Sequence, residues 1–288
     1  MGAVYKAEQA PLGRLVALKV LSPKHDVDKD PEFRKRFFLE AATVAKLTHP
    51  NTVTVFDYGQ GDGGLYFIAM ELLEGVTLKH ALRESGPFPP ERAIHVTKQI
   101  CRSLREAHRL GIVHRDMKPG NVMLLEQGDE KDFVKLLDFG LVKDTEAADE
   151  EDLTQAGVFM GSPKYMSPEQ IQGERVDGRS DIYSVGVIFF ELLTGRPPFE
   201  REKQVQILMD HLNAPIPAMS SIEGHPPVPG DLEAIVRKCL AKKREERFAD
   251  MDALLLALKA LEGDVAPSGE LGISGEHGPS PSMGPGTP

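Results

Sequence analysis

One short run, His114-Arg115-Asp116-Met117-Lys118-Pro119-Gly120-Asn121, constrains the fold of this chain more than any other stretch. Together with Asp138-Phe139-Gly140 further along, it brings a proton acceptor, a cation and two oxygen ligands into one loop system. The amide oxygen of Asn121 and the carboxylate of Asp138 are hard donors of the kind Mg²⁺ accepts, since that ion keeps several waters and binds through few protein groups. Such groups act together only if the two loops, separate in sequence, meet at one point in the fold.

The remainder of the chain is long enough to build that frame. With 288 residues, 41% of them hydrophobic, it can bury the core of one two-lobed domain or of two small ones. A net charge of −10 argues against nucleic acid as a partner, because such a surface needs an excess of Lys and Arg, whereas a basic peptide suits this field. Cys101 and Cys239 both lie in helix-like apolar patterns and read as buried thiols of a reducing compartment, neither paired in a disulfide nor bound to metal. The most apolar run, Val185 to Leu193, is about half the length of a membrane span, and Glu191 interrupts it. The first residues lack the apolar centre of a signal peptide, and Lys6 stands where an N-myristoylation pattern at Gly2 wants Ser or Thr. A cytoplasmic chain is expected.

The hydrophobic period changes at Leu78. Residues 3 to 9 and 14 to 21 read as a β-hairpin turning at Ala10-Pro11-Leu12-Gly13, and Val53 to Tyr58 and Leu65 to Met70 as a second hairpin. Between them Asp30 caps a helix expected to begin at Pro31 and run to about Leu47. From Leu78 the period is helical, with Ile94, Thr97, Cys101, Leu104 and His108 on one stripe that Gly111 ends. Residues 181 to 194 are apolar nearly all round, the pattern of a helix buried in mid-domain. An α+β fold follows: a small antiparallel β lobe with one helix over 1–71, a larger α-rich lobe over 72–262, and a Gly/Pro/Ser-rich tail over 263–288 expected to be disordered.

By the order of these motifs the sequence resembles the catalytic domain of the bacterial, eukaryotic-like serine/threonine protein kinases. The resemblance implies ATP and Mg²⁺ as cofactors and Ser/Thr hydroxyls of proteins as acceptors, with self-association for phosphorylation in trans. Asp116 would then accept the hydroxyl proton, Lys118 would steady the transferred phosphate, and Asn121 and Asp138 would hold the metal. Lys19, closing the strand Val16-Ala17-Leu18-Lys19, would hold the phosphates and pair with Glu40, which sits among apolar neighbours two turns beyond the competing Glu32. Met70, Glu71 and Leu73 fall at the junction of the lobes, where backbone groups of Glu71 and Leu73 would bind adenine between Val4, Ala17 and Met123. For those three side chains plain core packing is the competing account.

Residues 138 to 169 are too long for a simple connection. Their end, Gly161-Ser162-Pro163 to Ser167-Pro168-Glu169, resembles a substrate-docking loop around Ser162, whose Glu169 would pair with Arg247. Thr154 stands where relatives carry an activating phosphothreonine, and Arg115 and Lys143 would receive that phosphate. Asp181, an acid entering an apolar helix, must be hydrogen-bonded and would hold the backbone of the catalytic loop. The pattern departs from the family at its start. Gly2-Ala3-Val4 matches only the last Gly-x-Val of a glycine-rich phosphate loop, which suggests a cut or a mis-assigned first methionine. If the roof of the nucleotide site is incomplete, a kinase-like scaffold without activity is the alternative; a small-molecule phosphotransferase is a third reading, opposed by the long segment ending in Ser-Pro-Glu.

Overall fold

The computed structural model describes residues 3–21, 31–61, 64–139 and 162–263. Gly2, the Asp30 cap, Lys143, Thr154 and the expected tail from residue 264 lie outside the described residues.

The first lobe is an antiparallel sheet of four strands, β1 (Ala3–Gln9), β2 (Arg14–Leu21), β3 (Val55–Gln60) and β4 (Tyr66–Glu71), in the order β1-β2-β4-β3. Helix α1 (Pro31–Val44) lays Phe37 and Ala41 against Val53, Tyr66, Ile68 and Met70, the Phe37 and Tyr66 rings 4.8 Å apart. Two of the boundaries that differ from the expected ones do so for a shared reason. Val53 is buried, but its N–H donates to Leu136 O at 3.0 Å and Thr52 bridges Leu136, so this apolar residue belongs to the seam with the second lobe and β3 starts at Val55. Leu47 likewise lies beyond the end of α1 and packs into the core of the second lobe.

The second lobe opens with β5 (Val76–Thr77), α2 (Leu78–Ser85) and α3 (Pro90–Arg109), then β6 (Val122–Gln127) and β7 (Glu130–Leu136), which pair as β5-β6-β7. It is completed by α4 (Pro168–Ile171), α5 (Gly178–Thr194), α6 (Gln204–Asn213), α7 (Gly230–Cys239) and α8 (Met251–Gly263). Asp177 caps α5 by accepting the Arg179 N–H, and Gly195 ends it in the left-handed conformation. Almost every side chain of α5 between those caps is buried, so the acids on it are fixed points of the lobe. No helix among the described residues is long and apolar enough to cross a membrane.

Close packing of α5 on α7 yields a stability test. A Cβ added at Gly186 would stand 2.6 Å from the Cys239 Cβ, and both residues are in the core. Gly186→Ala is expected to destabilise by about 1–3 kcal/mol through overpacking. The fall in the chemical-denaturation midpoint measures it, and an unchanged midpoint would show that α7 can retreat at no cost.

Candidate active site

The catalytic-type loop begins where α3 stops at Arg109, Leu110 closing the helix and Gly111 turning at φ 76°. It is held from beneath by one buried carboxylate. Asp181, in the first turn of α5, accepts from His114 N at 2.8 Å, Arg115 N at 3.0 Å and His108 Nε2 at 2.7 Å. With those donors the burial of this acid is compensated. Arg115 takes φ 62°, a conformation few side chains adopt, and it is held there by Asp181 at its N–H and by Gln170 Nε2 at its carbonyl, 2.9 Å away.

His114 ties this loop to the one carrying Asp138. The carbonyl of Leu137 can only accept, so the 2.9 Å contact places a proton on Nε2; Nδ1 is then free to accept the Asp116 N–H at 3.3 Å. Burial pushes the imidazole below its ordinary 6.5, against the pull of Asp181 and the Leu137 carbonyl, so the ring is neutral and this tautomer is fixed. Leu137 N in turn donates to Asn121 O at 2.8 Å. A single residue, Leu137, thus bonds to both ends of the first loop and sets Asp138 beside it.

Within that frame Lys118 Nζ donates to Asp116 Oδ2 at 2.7 Å. Asn121 Nδ2 donates to Asp116 O at 2.8 Å and to Oδ2 at 3.3 Å. Because the Asn121 amide nitrogen is spent on acceptors, its oxygen is the atom presented away from Asp116. Asp138, at φ 48°, carries the carboxylate of the second loop. Among the described residues no three His, Cys, Asp or Glu side chains gather as a closed metal cage. One amide and one carboxylate oxygen suit a hard ion that completes its shell with water and phosphate, so the residues fit Mg²⁺.

Lys19, expected to pair with Glu40, meets a carboxylate of the second lobe. Lys19 Nζ lies 2.6 Å from Asp138 Oδ1, and Glu40 stands half-buried on α1. Asp138 reaches across from the opposite wall of the cleft and accepts a hydrogen bond from the end of the Lys19 side chain.

Behind the cleft, Ala17 faces Met70 across β2 and β4, Val4 faces Lys19 across β1 and β2, and Met123 lies half-buried on β6. Val4 is largely exposed. The chain leaves β4 at Glu71 and passes so near β6 that a Cβ on Gly75 would stand 2.4 Å from Leu124 O. Glu71 does more than its sequence position indicated. Its carboxylate accepts from Lys135 Nζ at 2.6 Å and Thr54 N at 2.7 Å, clasping the two lobes, while Lys135 also reaches Thr52 O at 3.3 Å. No periodicity signals Lys135, which sits on β7 among alternating residues. Among the described residues the Leu73 N–H has no protein acceptor.

Glu169 on α4 receives Arg247 Nη1 at 2.7 Å, Arg247 Nη2 at 2.8 Å and Ser180 Oγ at 2.6 Å. Ser162 opens the single 3₁₀ turn Pro163–Tyr165 just before it.

Comparison with known proteins agrees with this geometry. The family model described as "Protein kinase domain" matches residues 1–257. Serine/threonine-protein kinase pkn3 of Myxococcus xanthus is 38% identical over 91% of this chain and 48% of its own length. PknB of Mycobacterium leprae is 39% identical over 93% and 42%, and PknL of Mycobacterium tuberculosis 40% over 91% and 63%. The chain therefore spans about half the length of the curated relatives it matches. The crystal structure of a mutant of the Mycobacterium tuberculosis PknI kinase domain superposes with a TM-score of 0.69 at 28% identity, covering 91% of each chain. A two-lobed frame, a loop pinned by Asp181 and a family match over nearly the whole described span have one explanation: the chain belongs to the protein kinase family.

Proposed function

We propose that the chain transfers the γ-phosphate of ATP to Ser or Thr hydroxyls of proteins, working where ATP is held, on the cytoplasmic side. The observation that supports this is the linkage through Leu137, by which the loop carrying Asp116 is bonded directly to the residue before Asp138. Asp116 would take the acceptor proton, and Lys118, already on its Oδ2, would shift toward the phosphate as charge develops. Asn121 and Asp138 would hold Mg²⁺, which neutralises phosphate charge when bound. Lys19 would hold the α- and β-phosphates, and the Leu73 N–H and Glu71 carbonyl would meet adenine between Val4, Ala17, Met70 and Met123. Glu40 would be a further partner of Lys19, whose ammonium has three N–H donors. Ser162 would face the peptide, and phosphate on Thr154 would order its segment through Arg115 and Lys143.

A second reading, a kinase-like binding module, draws on one observation: the Lys19 ammonium sits on Oδ1 of Asp138, one of the two oxygens that carboxylate could offer a metal. Incubating the chain with labelled ATP, Mg²⁺ and a generic protein, beside Asp138→Ala and an upstream-extended form, separates the two. Label with the parent and none with Asp138→Ala supports the kinase. Label with the extended form alone supports the module for the chain as given. Thr154→Ala is expected to lose activation, and unchanged activity would remove the switch.

A further inference from the structure

We propose that His211 is a positioning residue for peptide binding, holding the docking turn Ser162–Tyr165 against α6 through the carbonyl of Lys164. The inference rests on the kinase reading and deepens it, since it concerns how that site receives its protein substrate.

The turn carries few groups that could fix it. Its own bond, Tyr165 N to Ser162 O at 3.0 Å, closes the 3₁₀ loop but does not attach it to anything. Attachment comes from the core. Ser184 Oγ, on α5, donates to Tyr165 O at 2.7 Å, and the Tyr165 hydroxyl donates to Glu191 Oε2 at 2.7 Å. Those bonds secure Tyr165. Lys164 is secured by the segment that follows α5: Glu200 pairs with its ammonium, and His211 Nε2 lies 3.0 Å from its carbonyl. The Lys164–Glu200 pair is exposed on both sides and contributes little. His211 is fully buried, so its bond is the stronger fixture.

Chemistry fixes the direction of that bond. A carbonyl only accepts, so His211 carries its proton on Nε2; its Nδ1 must then accept, and the Tyr183 hydroxyl, 2.8 Å away, is the donor. Burial drives Tyr183 to hold its proton and lowers His211 to about 4, the nearby Lys242 pushing the same way. At neutral pH the imidazole is therefore a rigid, uncharged, singly oriented donor. Phe199 packs against its ring at 5.0 Å, and Lys242 Nζ pins the end of α6 by donating to Asp210 O at 3.0 Å and His211 O at 2.8 Å. Tyr183 also lies 4.8 Å beneath the Arg247 guanidinium, which grips Glu169 at the far side of the same loop. The residues from Ser162 to Glu169 are thus held at both ends by one connected set of buried groups, with His211 the member contributed by α6.

A sequence signal existed. His211 continues the buried stripe Ile207, Leu208 of an amphipathic helix, where a polar side chain needs a partner.

The test uses the full chain, His211→Leu and His211→Gln, with steady-state phosphorylation of a Ser-containing peptide and hydrogen exchange of segment 162–167 read by mass spectrometry. Leu fills the space but leaves the Lys164 carbonyl and Tyr183 hydroxyl unpaired; the Gln amide nitrogen can occupy the place of Nε2. The expected result is a rise of about tenfold or more in KM for peptide in His211→Leu, KM for ATP within about twofold, recovery of most of the effect in His211→Gln, and faster exchange confined to 162–167 in the Leu variant. A peptide KM within twofold of the parent overturns the inference. So does an equal loss in all constants without recovery by Gln, which would mark His211 as a general packing residue. If the parent itself transfers no phosphate, the kinase reading fails while exchange still decides: unchanged exchange in His211→Leu overturns the positioning role, and selective acceleration sustains it.

Discussion

Arg247→Ala is expected to lower folding stability by about 3–5 kcal/mol, because it strands a buried carboxylate. The Arg247 side chain is 0% and that of Glu169 4% exposed. The guanidinium serves five acceptors: both Glu169 oxygens and the carbonyls of Ala241, Arg179 and Lys242, the last three between 2.8 and 3.0 Å. Its loss leaves Glu169 with Ser180 as its remaining side-chain donor. The effect carries a pH signature. Burial alone would raise the Glu169 pKa, but the hydrogen bonds from Arg247 and Ser180 outweigh it and hold the group below its ordinary 4.5. A depressed carboxylate stabilises the fold above its unfolded pKa, and that contribution disappears as pH falls from about 4.5 through the lower folded value. In Arg247→Ala burial dominates, the folded pKa rises above the unfolded one, and acidification restores part of the lost stability by neutralising Glu169. The gap between parent and variant in urea unfolding should therefore be widest near pH 7 and narrow toward pH 4. A gap below about 1 kcal/mol at pH 7 would mean that water or a side-chain shift rescues Glu169, and that the pair does not anchor the loop.

What could be read from the sequence and what could not divide along a physical line. The loop 114–121 and the acid at 181 were legible because their residue types are demanded locally: a carboxylate in an apolar helix needs donors, and a loop backbone needs acceptors. The change from strand to helical period at Leu78 was legible for the same reason, being written into consecutive side chains. Contacts made across the cleft were not. Val53 and Leu47 look like continuations of a strand and a helix, yet the Val53 N–H bonds to Leu136 and Leu47 packs into the core of the second lobe, so apolar pattern overran both boundaries. The contact of Lys19 with Asp138 depends on how the two lobes meet, and spacing along the chain carries no such information. Glu71 was read for its backbone alone, although its carboxylate meets Lys135 from the other lobe. Sequence patterns report each element's own burial, whereas the seam between lobes belongs to neither.

Asp116→Asn is expected to lower the rate of phosphate transfer by about 10²–10⁴ while leaving the thermal midpoint close to that of the parent. Asparagine keeps the shape of the side chain and an oxygen for Lys118 Nζ, now 2.7 Å from Oδ2, but it cannot receive a hydroxyl proton. Its backbone partners are untouched: the Asp116 carbonyl still meets Asn121 Nδ2, and His114 and Asn121 still bond to Leu137. Asp138 therefore stays in place, and nucleotide affinity measured calorimetrically with Mg²⁺ should match the parent's. Asp138→Ala must behave differently, since it removes an oxygen donor and also frees Lys19, so its nucleotide affinity should fall along with its rate. The contrast between the two variants tests the division of labour directly. Residual activity above about a tenth of the parent's in Asp116→Asn would exclude this carboxylate as the proton acceptor. A nucleotide affinity lost equally in both variants would instead place Asp116 in binding, and the assignment of distinct tasks to the two loops would fail.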